Sequence, residues 1–180
     1  MENILRQFDI HFVGLKHGVT EFNYQVNDKF FEHFEGSLIE QATMEVKLKF
    51  DKQNSLFQLD FQIAGTVHLP CNRCNDMLDF PVDADCPMIV KMDDRFDGDT
   101  EGEDADVVFI SRSESTLNVA QLIYEFINLN VPPYKVVCER MGKQCNPEMI
   151  EEIEKHKNEN EDSPAADPRW DSLKKIKLKK

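Results

Sequence analysis

The chain has 180 residues and a formal charge of −13, from 34 acidic and 21 basic side chains, with a pI near 4.8. Such a length predicts one core with tails, since the usual unit is about 150 residues. The charge excludes a surface that embraces nucleic acid as a whole, because phosphate binding needs Lys and Arg to displace counterions. No apolar run approaches the roughly 20 residues of a membrane helix, and Met1-Glu2-Asn3-Ile4-Leu5-Arg6 lacks the pattern of a secretory signal, so the expected compartment is the cytoplasm.

Taken in order, residues 4–12 alternate as a half-buried strand should, and Gly14 and Gly18 break the pattern. Phe22, Tyr24 and Val26 resume it, which predicts that these two strands pair around the glycine-containing turn. Asp28 is placed to cap a short helix carrying Phe30, Phe31 and Phe34 that ends at Gly36. Met44, Val46, Leu48 and Phe50 then face Phe57, Leu59, Phe61 and Ile63 across the turn Asp51-Lys52-Gln53-Asn54, an antiparallel hairpin. The second strand runs on to Leu69, reaches a cysteine pair at its tip, and returns as 78–82 and then 88–92. These phenylalanines at strand spacing are core, since base-stacking platforms need basic surroundings.

Residues 93–106 are acidic, with Gly98 and Gly102 and no apolar period, and read as a loop. A short strand at 107–110 precedes a helix over 117–129, whose Leu122, Ile123, Phe126, Ile127 and Leu129 suit it to cap the sheet. Pro132-Pro133 stops that helix, and Asn146-Pro147 starts another through about His156. Residues 158–166 have the composition of a disordered linker. Beyond it, Asp167 caps a last helix with Trp170, Leu173 and Ile176 on one face and Lys174, Lys175, Lys177, Lys179 and Lys180 at a basic tip. The tip can touch RNA or an acidic protein although the body repels them, or be a solvated tail with no partner, and the lone Trp170 calls for an apolar groove on its own domain or on a partner.

Four of the five cysteines form two clusters, Cys71-x-x-Cys74 and Cys138-x6-Cys145. A thiolate pair on a tight turn grips one side of a soft metal ion, and a second, distant pair closes a tetrahedron, which points to a structural zinc on Cys71, Cys74, Cys138 and Cys145. The six residues between Cys138 and Cys145 exceed the usual spacing, so reduced thiols packed together are the competing reading. Redox chemistry is disfavoured because Cys71 and Cys74 sit in a hairpin and not at a helix start, although Arg73 between them favours thiolate. Cys86, beside Pro87 in a strand, reads as an ordinary buried residue, and His68 as a half-exposed strand histidine outside the metal shell. No Ser-His-Asp order, P-loop or dinucleotide-binding glycine pattern occurs, and the acidic clusters lie in loops too loose for acid-base work, so no catalytic residues are expected.

In this order of features the chain resembles the bacterial YceD family, the large ribosomal RNA subunit accumulation proteins. The likeness rests on Leu69-Pro70-Cys71-Asn72-Arg73-Cys74, the acidic loop, Leu117-Asn118-Val119-Ala120-Gln121-Leu122-Ile123-Tyr124-Glu125-Phe126-Ile127 leading to Leu129-Asn130-Val131-Pro132-Pro133, Cys138 and Cys145, and Asp167-Pro168-Arg169-Trp170-Asp171-Ser172-Leu173-Lys174-Lys175. Many relatives carry a His in the region before the last Cys, where this chain offers Cys138, and its N-terminal strands resemble one branch only. The resemblance implies a non-enzymatic cytoplasmic factor for processing or accumulation of large-subunit (23S) ribosomal RNA.

The resulting expectation is an α+β domain over 1–157, mainly an antiparallel β-barrel or curved sheet with a capping helix, then a 158–166 linker and a basic helical tail at 167–180. Partner contact with ribosomal RNA or a ribosomal protein is expected through Arg169, Trp170, Leu173, Lys174, Lys175 and Lys177. The alternative is an acidic adaptor or chaperone that shields a basic ribosomal protein.

Overall fold

The computed structural model describes residues 4–93, 107–132 and 136–161, with the backbone alone for 158–161. In chain order its strands are β1 (Asp9–Ile10), β2 (Gly18–Asn27), β3 (Gln41–Lys52), β4 (Leu56–Pro70), β5 (Met77–Met92), β6 (Val107–Ile110) and β7 (Leu117–Asn118). The helices are α1 (Asp28–Phe31), α2 (Ala120–Asn130) and α3 (Pro147–Glu161). Five strands form one sheet in the order β2-β3-β4-β5-β6, and β1 pairs with β7 in a separate ribbon.

Strict alternation explains the central hairpin. Along β3, Ala42, Met44, Val46, Leu48 and Phe50 are buried while the residues between them are exposed. Phe57, Leu59, Phe61 and Ile63 of β4 are buried likewise, and the register sets Phe50 opposite Leu59 and Leu48 opposite Phe61; Asp51 and Lys52, expected in the turn, extend β3 instead. An antiparallel sheet of this kind buries one face and wets the other. The buried face is covered by the N-terminal segment, α1 and α2. The ring of Phe8 lies 5.0 Å from those of Tyr24 and Phe30, Phe12 lies 4.9 Å from Phe57, and Phe61 lies 5.2 Å from Phe126.

Gly65 lets β4 lie close against β3 on the inner face. It stands opposite Met44 with φ of +156°, and a Cβ there would come within 2.3 Å of the Thr43 carbonyl oxygen. A glycine inside a strand commonly marks such a close backbone approach.

The expected barrel does not close. β2 and β6 lie at opposite ends of the strand order, and β6, only four residues long, runs parallel to β5, so the sheet is mixed and open. Coverage by helices replaces closure as the means of burying the inner face. The N-terminal strand is also corrected: residues 4–8 and 12–14 form 3-10 turns, and β1 between them pairs with β7, not with β2. Phe8, Ile10 and Phe12 are nonetheless buried, so the apolar alternation was a true burial signal carried by a different backbone. β7 occupies the first two residues assigned to the capping helix, which begins only at Ala120. Asn118 organises that junction, its Oδ1 accepting the Ala120 N–H at 2.9 Å and its Nδ2 donating to the Leu5 carbonyl at 2.8 Å. Leu129, expected in the apolar stripe, is 79 % exposed. Asp28 is the first helical residue of α1 and does not cap it; its carboxylate accepts the Ala42 N–H at 2.8 Å.

The return strand is one continuous element and not two. Its exposed positions from 79 to 87 are Asp79, Pro81, Asp83, Asp85 and Pro87, and the ladder with β4 runs through both prolines. The hydrogens that the prolines lack therefore belong to the opposite edge, which pairs with β6 only over 89–92. Helix α3 runs five residues past the predicted His156. Asn146 Oδ1 accepts the Glu148 N–H at 3.0 Å at its start, and Lys155 pairs with Glu151 at 3.0 Å. Among the described residues no helix is long and apolar enough to cross a membrane. The acidic loop from residue 94 onward and residues 162–180 lie outside the described residues.

Candidate metal centre

The first cysteine pair occupies the turn from β4 to β5. The Cys71 N–H donates to the Asp76 carbonyl at 2.8 Å and the Asn75 N–H to the Cys71 carbonyl at 3.0 Å. This tight turn puts Asn75 at φ of 63°, a left-handed conformation that asparagine tolerates better than most residues. The Arg73 N–H then points at Cys71 Sγ from 3.4 Å.

The second pair brackets a 3-10 turn, Cys138–Met141, closed by Gly142 at φ of 66°. The Lys143 N–H donates to the Cys138 carbonyl at 2.9 Å, and Cys145 follows two residues before α3. That winding absorbs the long spacing between Cys138 and Cys145 and swings both sulfurs to one side.

Two further contacts clamp the halves together. Asn72 exchanges bonds with Val136, donating its N–H at 2.7 Å and accepting on Oδ1 at 2.9 Å. Arg73 pairs with Glu139 at 2.8 Å. Neither partner was legible in the sequence, because only the fold brings residues 72–73 to 136–139. Arg73 thus serves the clamp, and backbone amides do the work at sulfur that its charge was expected to do.

All four Sγ atoms of Cys71, Cys74, Cys138 and Cys145 lie within 4.8 Å of one another. Cys74 and Cys138 are 3.5 Å apart although 64 positions separate them in the chain. A tetrahedron with metal–sulfur bonds of about 2.3 Å has edges of about 3.8 Å, so these separations suit a thiolate-bound ion. Cys71, Cys74 and Cys138 are buried and Cys145 half-buried; none is in a disulfide.

The local electrostatics differ from sulfur to sulfur. Burial raises the Cys71 thiol, but N–H groups of Cys74, Arg73 and Cys138 aimed at it outweigh that and bring it down to about 6. Burial raises Cys138, and hydrogen bonds to Cys74, Cys71 and Cys145 together with the Cys71 charge push it further. Cys145 is raised as well, by burial first. The turn thus stabilises one thiolate, and crowding opposes further ones unless a cation joins them.

The remaining candidates lie elsewhere. His68 bonds Asp79 at 2.7 Å, is half-exposed, and stays outside the cluster. Cys86 is half-buried and accepts from Asn130 Nδ2 at 3.5 Å. Arg169, Trp170, Leu173, Lys174, Lys175 and Lys177 lie outside the described residues.

A family model described as large ribosomal RNA subunit accumulation protein YceD matches residues 59–177. The matched span takes in all four clustered cysteines and the C-terminal segment as far as Lys177, and leaves β2 and β3 outside it. No curated protein and no solved structure matches the chain.

Proposed function

The chain belongs to the YceD family of large ribosomal RNA subunit accumulation proteins, and from that premise we propose that it acts by binding, as a factor whose shape is fixed by a structural zinc. The observation that carries this reading is the convergence of four sulfurs from two segments of the chain. Four protein ligands close the coordination shell, so the ion ties the β4–β5 turn to the lead of α3 and leaves no position for a substrate or an activated water. Cys71 is prepared as the first ligand by the amides directed at it, and the other thiols lose their protons as the cation arrives.

Contact with ribosomal RNA or a ribosomal protein falls to the C-terminal segment, whose lysines are the exception to an acidic chain. The test is co-sedimentation with large-subunit particles of the wild type and of a variant carrying Lys174→Glu, Lys175→Glu and Lys177→Glu. Loss of association is expected; unchanged association would remove this assignment of the contact. Metal analysis of the purified wild type should give one zinc per chain, lost in Cys71→Ser and in Cys138→Ser.

A second reading, the acidic adaptor for a basic ribosomal protein, draws on the wet face of the sheet. Glu21, Glu45, Asp60, Asp79, Asp83 and Asp85 are exposed there against Lys47, Lys49 and Lys91. Its signature is binding that weakens with salt and persists after nuclease treatment.

A further inference from the structure

Beside the cysteine knuckle lies a groove of about 450 Å³ whose lining includes Leu38, Ile39, Leu69, Pro70, Val131 and Val136. Leu38 at its rim is 85 % exposed. An adjoining hollow shares Ile39 and is lined by Glu32, Glu35 and Glu40. An apolar floor therefore meets an acidic lip.

The chain contains a segment with the inverse pattern. Residues 168–177 set Trp170, Leu173 and Ile176 among Arg169, Lys174, Lys175 and Lys177. The segment is also tethered at the right end of the molecule. Helix α3 starts at the knuckle, where Pro147 and Ile150 share a hollow with Arg73 and Glu139, and Asn72, next in sequence, lines the groove. The 15 residues of α3 rise about 22 Å. The steps from Glu161 to Trp170 span up to about 30 Å, enough to return to the knuckle. A tether of that length holds the segment at an effective concentration of order mM, so even a weak contact closes.

We infer that residues 168–177 of the same chain occupy this groove, with Trp170 as the apolar anchor and the basic residues against the Glu32, Glu35 and Glu40 lip. The docked position is the resting place of the segment when no ribosomal partner holds it, and it requires neither the zinc nor the RNA contact proposed above.

Trp170 is the chain's one tryptophan, so its emission reports on this segment alone. In the wild type it should be blue-shifted and several-fold less quenched by acrylamide than in a synthetic peptide of residues 167–180. Leu38→Lys, which removes an apolar contact and repels the basic segment, should make quenching peptide-like, while Val19→Lys, a control at a 65 % exposed site on β2, should leave the shielding intact. Glu35→Lys with Glu40→Lys removes the attraction without touching the apolar floor, and should lower the shielding and abolish its salt dependence. A wild-type tryptophan as quenchable as the peptide, or shielding that survives Leu38→Lys, would overturn the inference. Shielding that grows with protein concentration would overturn it in favour of a second copy as the occupant.

Discussion

The clasp makes a quantitative prediction through Cys138→Ser. The substitution nearly preserves the shape of the side chain but replaces a thiolate donor with a hydroxyl, so the site loses its link to Cys74. The two sulfurs belong to positions 64 apart in the chain, and an ion that binds the folded chain but not the unfolded one stabilises it by RT ln(1 + [Zn]/Kd), about 4 kcal/mol at a thousand times Kd. Against a total stability of about 5–15 kcal/mol for a domain of this kind, the loss is severe. The assay is urea unfolding of the wild type and the variant at saturating zinc, with Cys86→Ser as the control outside the cluster. With zinc at a thousand times Kd, Cys138→Ser should lose about 4 kcal/mol and match the chelated wild type, whereas the control should change by less than about 1 kcal/mol. Hydrogen exchange should rise first around 136–146 and leave the β3–β4 hairpin protected. A loss below about 1 kcal/mol, or a chelated wild type much more stable than the variant, would refute the cross-link as a source of stability.

Zinc loading at pH 7 should release at least two protons, because the Cys138 and Cys145 thiols are raised while Cys71, at about 6, has already lost most of its own. Apparent affinity therefore rises with pH above neutrality, and calorimetry in buffers of different ionisation enthalpy counts the protons; a release of none would contradict the assignment. Gly65→Ala should cost about 2–4 kcal/mol, combining backbone strain and overpacking, because the added Cβ meets the Thr43 carbonyl oxygen at 2.3 Å. Thermal and urea unfolding measure it, and an unchanged midpoint would mean that β3 can move aside.

Sequence reasoning succeeded where one physical signal acted alone. The period of two along Met44–Phe50 and Phe57–Ile63 placed the hairpin and its buried side, since slipping by one residue would expose every apolar side chain, but it did not place the turn, because Asp51 and Lys52 continue β3 and pair with Gln58 and Phe57. The cysteines were legible because few other residues gain from such pairing in this pattern. What failed was the step from burial to backbone. Phe8, Ile10 and Phe12 alternate like a strand, but Phe8 and Phe12 lie in 3-10 turns and only Ile10 is in a two-residue strand between them. Closure of the sheet was equally illegible, since alternation says that one face is dry and does not say whether strands or helices cover it. The Asn72–Val136 and Arg73–Glu139 clamps depend on pairings 64 and 66 positions apart, beyond any local pattern.

The unbroken run of aspartate and proline along the exposed side of β5 has a consequence for behaviour in a crowded cell. A sheet with a long bare margin invites templated growth by a neighbour's strand. Here an incoming backbone finds amide hydrogens missing at Pro81 and Pro87 and carboxylates at Asp79, Asp83 and Asp85. That side is therefore a poor template, and its composition opposes strand addition there.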